Sequence, residues 1–495
     1  GWTIFGLTYL SFIIWNIVTT GWLYGAKNPD GTHSMMAVVF PVLFNAFFYT
    51  LIFQCYHLYK KAQGTYFGLV FFVAIWMVFE KIHLNWEFSW PWLNLGNAFA
   101  DYPKLIQWYD TLGATGGSFW ILIVNVYAFY TLRIWEAGRK QKSLIINSSV
   151  LIGFIALPMI ISAVKYENFN EKPIGFVNVL LLQPELNPYT EKYSKDSLTI
   201  VNDLLKLAED NSKGQIDYYI GPETSLPGFG SISESGFEKS ELLNTVKGFL
   251  AKHPKSIFAT GISSHRFYPN EKDKTPTSYP TSQGIYVDSY NSAVQIIPNQ
   301  KVEVYHKGKL VPGVEIFPYI NVLKPILGDA MINLGGTTAS LAGDPERKVF
   351  SNPFNKGKLA PIVCYESIYG EFVTEYVKKG ANFLGIMTND SWWGETQGHK
   401  QLMSYAKLRA RETRREIARS ANSGISAHID AKGDVVADTF YGDQTTLFAK
   451  VNLYDQITFY TKAGDLLSRF SIFVFGFLVF YTLIKKFQNR KKTAK

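Results

Sequence analysis

Pro361-Ile362-Val363-Cys364-Tyr365-Glu366-Ser367 reads as a strand of buried type that delivers a cysteine at its C-terminal end. A helical pattern over 368–379 follows at once. Strand ends of this kind are where open α/β sheets place their active sites. Taken alone, a cysteine after Pro-Ile-Val is more often an inert core residue than a nucleophile. Two further segments stand beside it. An apolar strand over 217–220 stops at Gly221-Pro222-Glu223, and the run Tyr305-His306-Lys307-Gly308-Lys309-Leu310-Val311-Pro312-Gly313-Val314-Glu315 carries a lysine followed by a carboxylate. Singly, a Glu at a strand end is usually a solvated or capping residue, and a Lys in a loop is usually exposed charge. Their joint occurrence in the order Glu, Lys, Cys carries more weight.

Around these segments, short β-rich runs alternate with helical ones. Strands are expected over 174–182, 256–261, 284–288, 293–297, 359–363 and 382–387, with a hairpin of 424–430 and 435–439 around Lys432-Gly433. Helices are expected over 197–211, 237–252, 368–379 and 398–420. This alternation implies a layered α/β domain, placed at 171–460 and large enough for its own core.

The flanks are of a different kind. A bilayer core about 30 Å thick needs roughly 20 apolar residues in a helix. Such runs lie at 2–24, 35–59, 65–79, 113–135 and 144–164, with a sixth at 466–484. The third is short, and either continues past Glu80 or tilts. The chain therefore divides into a multi-pass helical membrane domain (1–170), the α/β domain (171–460), and a last membrane helix with a basic tail (461–495). It enters an apolar run directly from Gly1 with no charged leader, so no signal peptide is read.

Positive charge sets the expected orientation. Lys60 and Lys61, then Arg133, Arg139, Lys140 and Lys142, then the tail from Lys485 to Lys495 all fall on one side if every run crosses. That side is the cytoplasm, which leaves 171–460 outside it. The formal charge of +9 is thereby explained by loops beside the inner leaflet, and no nucleic acid partner is expected. The aromatic loop 86–100, with Trp86, Trp90, Trp92 and Phe99, reads first as an interfacial anchor and second as a re-entrant, lipid-handling stretch. The two cysteines, Cys55 and Cys364, lie in different domains, so no disulfide is expected. The histidines are scattered, so no metal or cofactor is expected.

At its motifs the chain closely resembles the apolipoprotein N-acyltransferases, the membrane-bound branch of the nitrilase (carbon-nitrogen hydrolase) superfamily. The matching residues are Lys307 with Leu310-Val311-Pro312 and Glu315, then Cys364-Tyr365-Glu366, then Thr388-Asn389-Asp390-Ser391-Trp392-Trp393-Gly394, then Arg419 to Ser426. Two departures stand out. Family members carry more membrane helices than the six read here, and the missing ones would precede Gly1. The segment Gln183-Pro184-Glu185-Leu186-Asn187-Pro188-Tyr189 lacks an expected tryptophan, whose place Tyr193 could take.

The resemblance implies an α-β-β-α layered nitrilase-like domain on the periplasmic side of a bacterial inner membrane. It implies a phospholipid acyl donor, mainly phosphatidylethanolamine, and as acceptor the α-amino group of a diacylglyceryl-modified apolipoprotein. It also implies Cys364 as nucleophile, Glu223 as general base and Lys307 as oxyanion stabiliser. Glu315 would hold Lys307 or relay a proton, Tyr365 would offer a backbone N–H to the oxyanion, and Glu366 would support from behind. Lys309 reads as surface charge. In water a thiol and a carboxylate differ by about 4 pKa units, about 6 kcal/mol for the proton transfer. Lys307 is expected to narrow that gap by pulling the thiol down. Moving an acyl chain into water costs about 0.8 kcal/mol per CH₂, roughly 12 kcal/mol for about 15 methylenes. The apolar stretches 226–232, 316–327 and 392–393 are therefore candidates either for membrane-facing arms or for core. The alternative reading is a membrane-tethered amidase, which needs the same three residues but only one anchoring helix.

Overall fold

The computed structural model describes residues 1–28, 31–138, 140–187, 191, 195–226, 231–323, 325–326 and 340–493. Arg139, Pro188, Tyr189, Tyr193, Lys495, residues 227–230 and the end of 316–327 lie outside them. The chain forms two units, one of 1–21, 38–169 and 463–495, the other of 22–37 and 170–462.

The first unit is helical. With Trp2–Thr20 extended through Gly25, six segments among the described residues are long and apolar enough to cross a membrane: Trp2–Gly25, Met35–Gln63, Thr65–His83, Tyr109–Glu136, Gln141–Glu167 and Leu466–Asn489. The third runs on through Glu80 to His83, as its sequence allowed. Their apolar side chains point outward as well as inward. Phe470, Phe473, Phe477 and Phe480 are all exposed on the last helix, while Tyr49, Trp76, Met77 and Leu122 are buried. Helices that are apolar all round belong in lipid, where every backbone group is satisfied within the helix. The chain is a membrane protein. In the aromatic loop Trp92 and Leu93 are buried, Trp90 stacks on Trp92, and Glu80 accepts the Leu95 N–H at 3.0 Å.

The second unit is built on two sheets. Its strands are β1 (Gly175–Gln183), β2 (Tyr218–Ile220), β3 (Ile232–Ser233), β4 (Ile257–Tyr268), β5 (Tyr279–Pro280), β6 (Tyr286–Ile296) and β7 (Glu303–His306). They continue with β8 (Phe350–Ser351), β9 (Lys358–Val363), β10 (Phe383–Thr388), β11 (Ile417–Ala421), β12 (Ala427–Ile429), β13 (Val435–Asp438) and β14 (Thr445–Leu453). Among the described residues, one sheet runs β14-β1-β2-β4-β6-β5, with β3 on β4 and β7 on β6. The other runs β13-β12-β11-β10-β9-β8. In the second sheet β9, β10 and β11 are parallel, joined by the helices Gly370–Lys378 and Gln397–Thr413. The helices Ser197–Asn211 and Glu241–Lys252 cover the first sheet, burying Val201, Leu204, Leu243 and Val246 against Leu180, Phe258 and Ile262. Each starts on a side-chain cap, Asp196 and Ser240. This is the nitrilase-like, layered α/β arrangement expected.

Three local expectations need correction. The helix drawn over 398–420 ends at Thr413, where Arg414 turns left-handed (φ 51°), and 417–421 is strand. Its arginines are buried: Arg409 donates to Ile368 O, Arg415 to Ala381 O and Gln456 O. The strands at 284–288 and 293–297 are one strand, β6, continuous through the polar run Ser289-Tyr290-Asn291-Ser292. The helix 237–252 is two, Glu234–Phe237 and Glu241–Lys252, split at the Ser240 cap. Strand β14, antiparallel along the whole of β1, has no counterpart in the sequence reading.

Candidate active site

Cys364 follows β9 directly and begins the short turn Cys364–Ile368, with φ at 46°. A left-handed backbone at a non-glycine residue is uncommon, and such strain gathers at functional sites. The turn is held by Ser367, whose hydroxyl donates to Cys364 O at 2.7 Å. Glu223 lies beyond the end of β2, and the next residue, Thr224, is also left-handed (φ 48°). Gly261 on β4 makes this possible: a Cβ there would sit 2.7 Å from Glu223 Cα.

Lys307 is one residue past β7. Its Nζ donates to Glu223 Oε1 at 3.1 Å and to Glu315 Oε1 at 2.9 Å, with Lys307 almost wholly buried. Glu315 is fixed from behind, its Oε2 accepting the Val311 N–H at 2.8 Å. Sequence reasoning missed the fourth member. Asn291, on β6, donates through Nδ2 to Glu223 Oε1 at 2.7 Å and to Glu315 Oε1 at 2.8 Å. One ammonium and one amide thus bridge two carboxylates.

Glu366 is fully buried and accepts four bonds: Tyr305 OH (2.5 Å) and Gly308 N–H (2.7 Å) on Oε1, Val363 N–H (2.8 Å) and Tyr376 OH (3.3 Å) on Oε2. Burial pushes its pKa up, and the donors pull against that. It ties the loop of Lys307 to the turn of Cys364. Tyr365 is buried with its ring against Tyr369, 5.4 Å between centroids. Lys309 is not plain surface charge: it is half-buried, with Nζ 4.9 Å from the Tyr369 ring.

Lys307 pulls the Cys364 thiol down, as expected, but other causes outweigh it. Burial, then the Glu223 charge, push the Cys364 thiol well above its ordinary pKa, and the pull of Lys307 and of the Thr388 hydroxyl does not offset them. For Lys307, burial opposes the charge, but Glu223 and Glu315 outweigh it and its pKa lies above the usual lysine value. The resting site holds a neutral thiol beside an ammonium.

The remaining motif residues frame the site. Arg419 donates to Asp390 at 2.8 Å with both fully buried, and Thr388 OH donates to Asp390 at 2.9 Å. Asn422 grips the segment after β1 by two bonds to Leu186, at 2.6 and 3.0 Å. Trp393 is half-buried, its ring 5.2 Å from that of Trp22, whose indole N–H donates to Gln401 at 3.0 Å. In the arm stretch 316–327, Phe317 is buried while Val322 and Ile326 are exposed, so it is both core and apolar surface.

Residues 182–457 match the carbon-nitrogen hydrolase family, and residues 1–127 match the apolipoprotein N-acyltransferase N-terminal domain. The chain is 26% identical over 490 residues to the apolipoprotein N-acyltransferase of Chlorobaculum tepidum, covering 97% of this chain and 88% of that one. It is 27% identical over 446 residues to the apolipoprotein N-acyltransferase of Rickettsia bellii, covering 88% and 80%. Among solved structures, Nit3 of Saccharomyces cerevisiae, a member of the nitrilase superfamily, aligns with a TM-score of 0.40 at 14% identity, over 60% of this chain and 97% of that one.

Proposed function

Because the chain belongs to the carbon-nitrogen hydrolase family, we propose that it moves a fatty acyl group from a phospholipid, through a thioester on Cys364, to the α-amino group of a lipid-modified N-terminal cysteine. The observation that carries this reading is the bonded set Glu223, Lys307 and Glu315, the first two buried near strand ends as Cys364 is, in a chain with six membrane-length helices among the described residues. Its likeness to named N-acyltransferases over nearly its whole length supports the same reading.

In the first half-reaction the Cys364 sulfur attacks the ester carbonyl of the donor. Its proton passes to Glu223, and the oxyanion is stabilised by the Lys307 ammonium and a main-chain N–H near Tyr365. Attack has formed the S–C bond; collapse then restores the C=O, breaks the C–O bond, and Glu223 returns the proton to the departing lysophospholipid oxygen. In the second half the acceptor amine attacks the thioester, Glu223 takes its proton, and the Cys364 thiol is restored. Since the resting thiol is neutral, proton transfer and attack go together rather than from a standing thiolate. Glu315 and Asn291 keep Lys307 and Glu223 in place; Glu366 keeps the two halves of the site in register.

The donor is phosphatidylethanolamine and the acceptor a diacylglyceryl-modified apolipoprotein. The membrane is the bacterial inner membrane, with residues 171–460 on its periplasmic side; the lysines and arginines of the short loops support that orientation. Purified protein in phosphatidylethanolamine vesicles tests the reading. Its intact mass should rise by one acyl group on Cys364, and a diacylglyceryl lipopeptide should then take that group while the protein returns to its starting mass. Release as free fatty acid, with no acylated peptide, would instead make it a hydrolase.

A further inference from the structure

Strands β6 and β7 carry a second polar cluster on the face opposite the site. Alternate side chains of a strand point to opposite faces. Asn291 belongs to the catalytic face, and so does Lys307 just past β7; their neighbours Ser292 and His306 pair directly across the two strands and face the other way. There they close a ring. His306 Nδ1 lies 2.8 Å from Ser292 Oγ, which lies 2.9 Å from Ser264 Oγ. The Ser264 hydroxyl donates to Glu234 Oε1 at 3.1 Å, and His306 Nε2 lies 3.3 Å from the same oxygen. Arg266 holds the other oxygen of Glu234 by two bonds, at 2.8 and 3.1 Å. The imidazole also stacks on Tyr290, 4.1 Å between centroids.

The backbone explains why such a ring matters. Among the described strands β7 has four residues and pairs with β6 alone. Lys307 sits one residue past its end, tied to β6 by a single main-chain bond to Asn291 O at 2.8 Å. A short edge strand held on one side frays unless a side chain anchors it. We infer that His306 is a positioning residue: by locking the end of β7 to Ser292 and Glu234, it sets where Lys307 holds its ammonium between Glu223 and Glu315. The inference rests on the reading of Lys307 as part of the site. Burial lowers the His306 pKa, while Glu234 and Asp344 raise it and Arg266 and Lys348 lower it. A cavity of about 340 Å³, lined in part by Arg266, His306, Asp344 and Lys348, lies beside the ring. Its walls mix these polar groups with Ile232, Phe237, Ile262 and Val304, so truncating His306 enlarges an existing cavity rather than opening a new one.

The test uses full-length protein in phosphatidylethanolamine vesicles with Cys55→Ser as background. It measures the rate of acyl-enzyme formation and the pH profile of Cys364 alkylation by iodoacetamide. His306→Ala should slow acylation about 10–100-fold, as a small misplacement of a reacting group does. It should also move the alkylation profile upward, in the direction Lys307→Met moves it, because a displaced ammonium stabilises the thiolate less. His306→Gln, whose amide reaches Glu234, should restore most of both. A wild-type rate, or a slower rate with an unmoved profile, overturns the inference. If His306→Ala does not fold, Ser292→Ala removes one hydroxyl from the ring and should give a smaller shift of the same sign; no shift overturns it equally. A profile moved by Lys307→Met but by neither ring variant defeats this inference alone. A profile that Lys307→Met leaves in place defeats the site assignment and this inference together.

Discussion

Glu366 accepts the main-chain N–H of Gly308 at 2.7 Å, and by that bond the turn carrying Cys364 holds the loop carrying Lys307. The same carboxylate accepts the Val363 N–H at 2.8 Å, so one side chain fixes the backbone on the near side of both groups. Each oxygen takes one amide and one tyrosine hydroxyl. Nothing at this carboxylate needs to donate, so all four bonds favour its charged form against the burial that opposes it.

Glu366→Gln should therefore be costly despite its matching shape. Whichever way the amide turns, its NH₂ faces two donors, and one oxygen is lost as acceptor. Leaving buried donors unmet costs about 1–3 kcal/mol each. Denaturation of the detergent-purified variant should show a loss of about 2–4 kcal/mol, with acyl-enzyme formation reduced as well. Equal stability and rate would leave Glu366 as passive filling.

Cys364→Ser should abolish the stable acyl-enzyme, whereas Cys55→Ser should leave it unchanged. Cys55 is exposed on a membrane-length helix, and Cys364 is buried beside Lys307. Intact-mass spectra after incubation with phospholipid decide it. Full acylation of the Cys364→Ser protein at another site would remove Cys364 from its role.

The raised pKa of Cys364 gives a signed expectation for its chemistry. Only the thiolate is alkylated, and an unperturbed cysteine approaches its full rate above pH about 8.5. With the folded pKa above that value, the rate at Cys364 should still be rising at pH about 9. The alkylation profile in the Cys55→Ser background checks this. A plateau at or below the peptide-thiol value would mean that Lys307 outweighs burial.

Orientation is a separate expectation. Reporters fused after Lys61 and after Lys142 should be cytoplasmic, and protease added outside the inner membrane should cut within 173–454. Protection of that region until the membrane is opened would reverse the topology.

How far the sequence carries depends on whether a residue's role is local. The strand ends at 220 and 363 and the loop at 307 were legible, because apolar runs stop there on a charged or nucleophilic residue. Asn291 was not, since its polar surroundings read as a break between two strands. In the fold they are the two faces of β6, one turned to Glu223 and the other to His306. Nor did the sequence show where the arginines of 409–419 go: Arg409, Arg415 and Arg419 are buried on carbonyls or Asp390. Strand β14 was not read from the sequence; its first three residues are all half-buried, and its pairing partner β1 lies some 270 residues earlier in the chain. The thiol's pKa could not be read at all, since burial and Glu223 oppose Lys307 by amounts that only the packing sets.

The two charged neighbours of Cys364 should fail differently. Glu223→Gln keeps the shape and removes the base, so acyl-enzyme formation should fall about 10²–10⁴-fold. Its Lys307 partner remains, bonded to Glu315 at 2.9 Å, and the pull on the thiolate persists. Because the Glu223 charge is one of the causes that raise the Cys364 pKa, removing it should move the alkylation profile downward. Lys307→Met removes the cation that both tetrahedral intermediates need, so acylation and transfer to the amine should each fall about 10²–10³-fold. The same change strips Glu223 and Glu315 of their shared ammonium and leaves Asn291 alone between two carboxylates. The thiolate loses its nearest positive charge, and the profile should move upward. Opposite shifts of one titration, with both variants slow in acylation, are the signature expected. Profiles that coincide with wild type in both variants, with acylation unimpaired, would place neither Glu223 nor Lys307 beside the reacting sulfur.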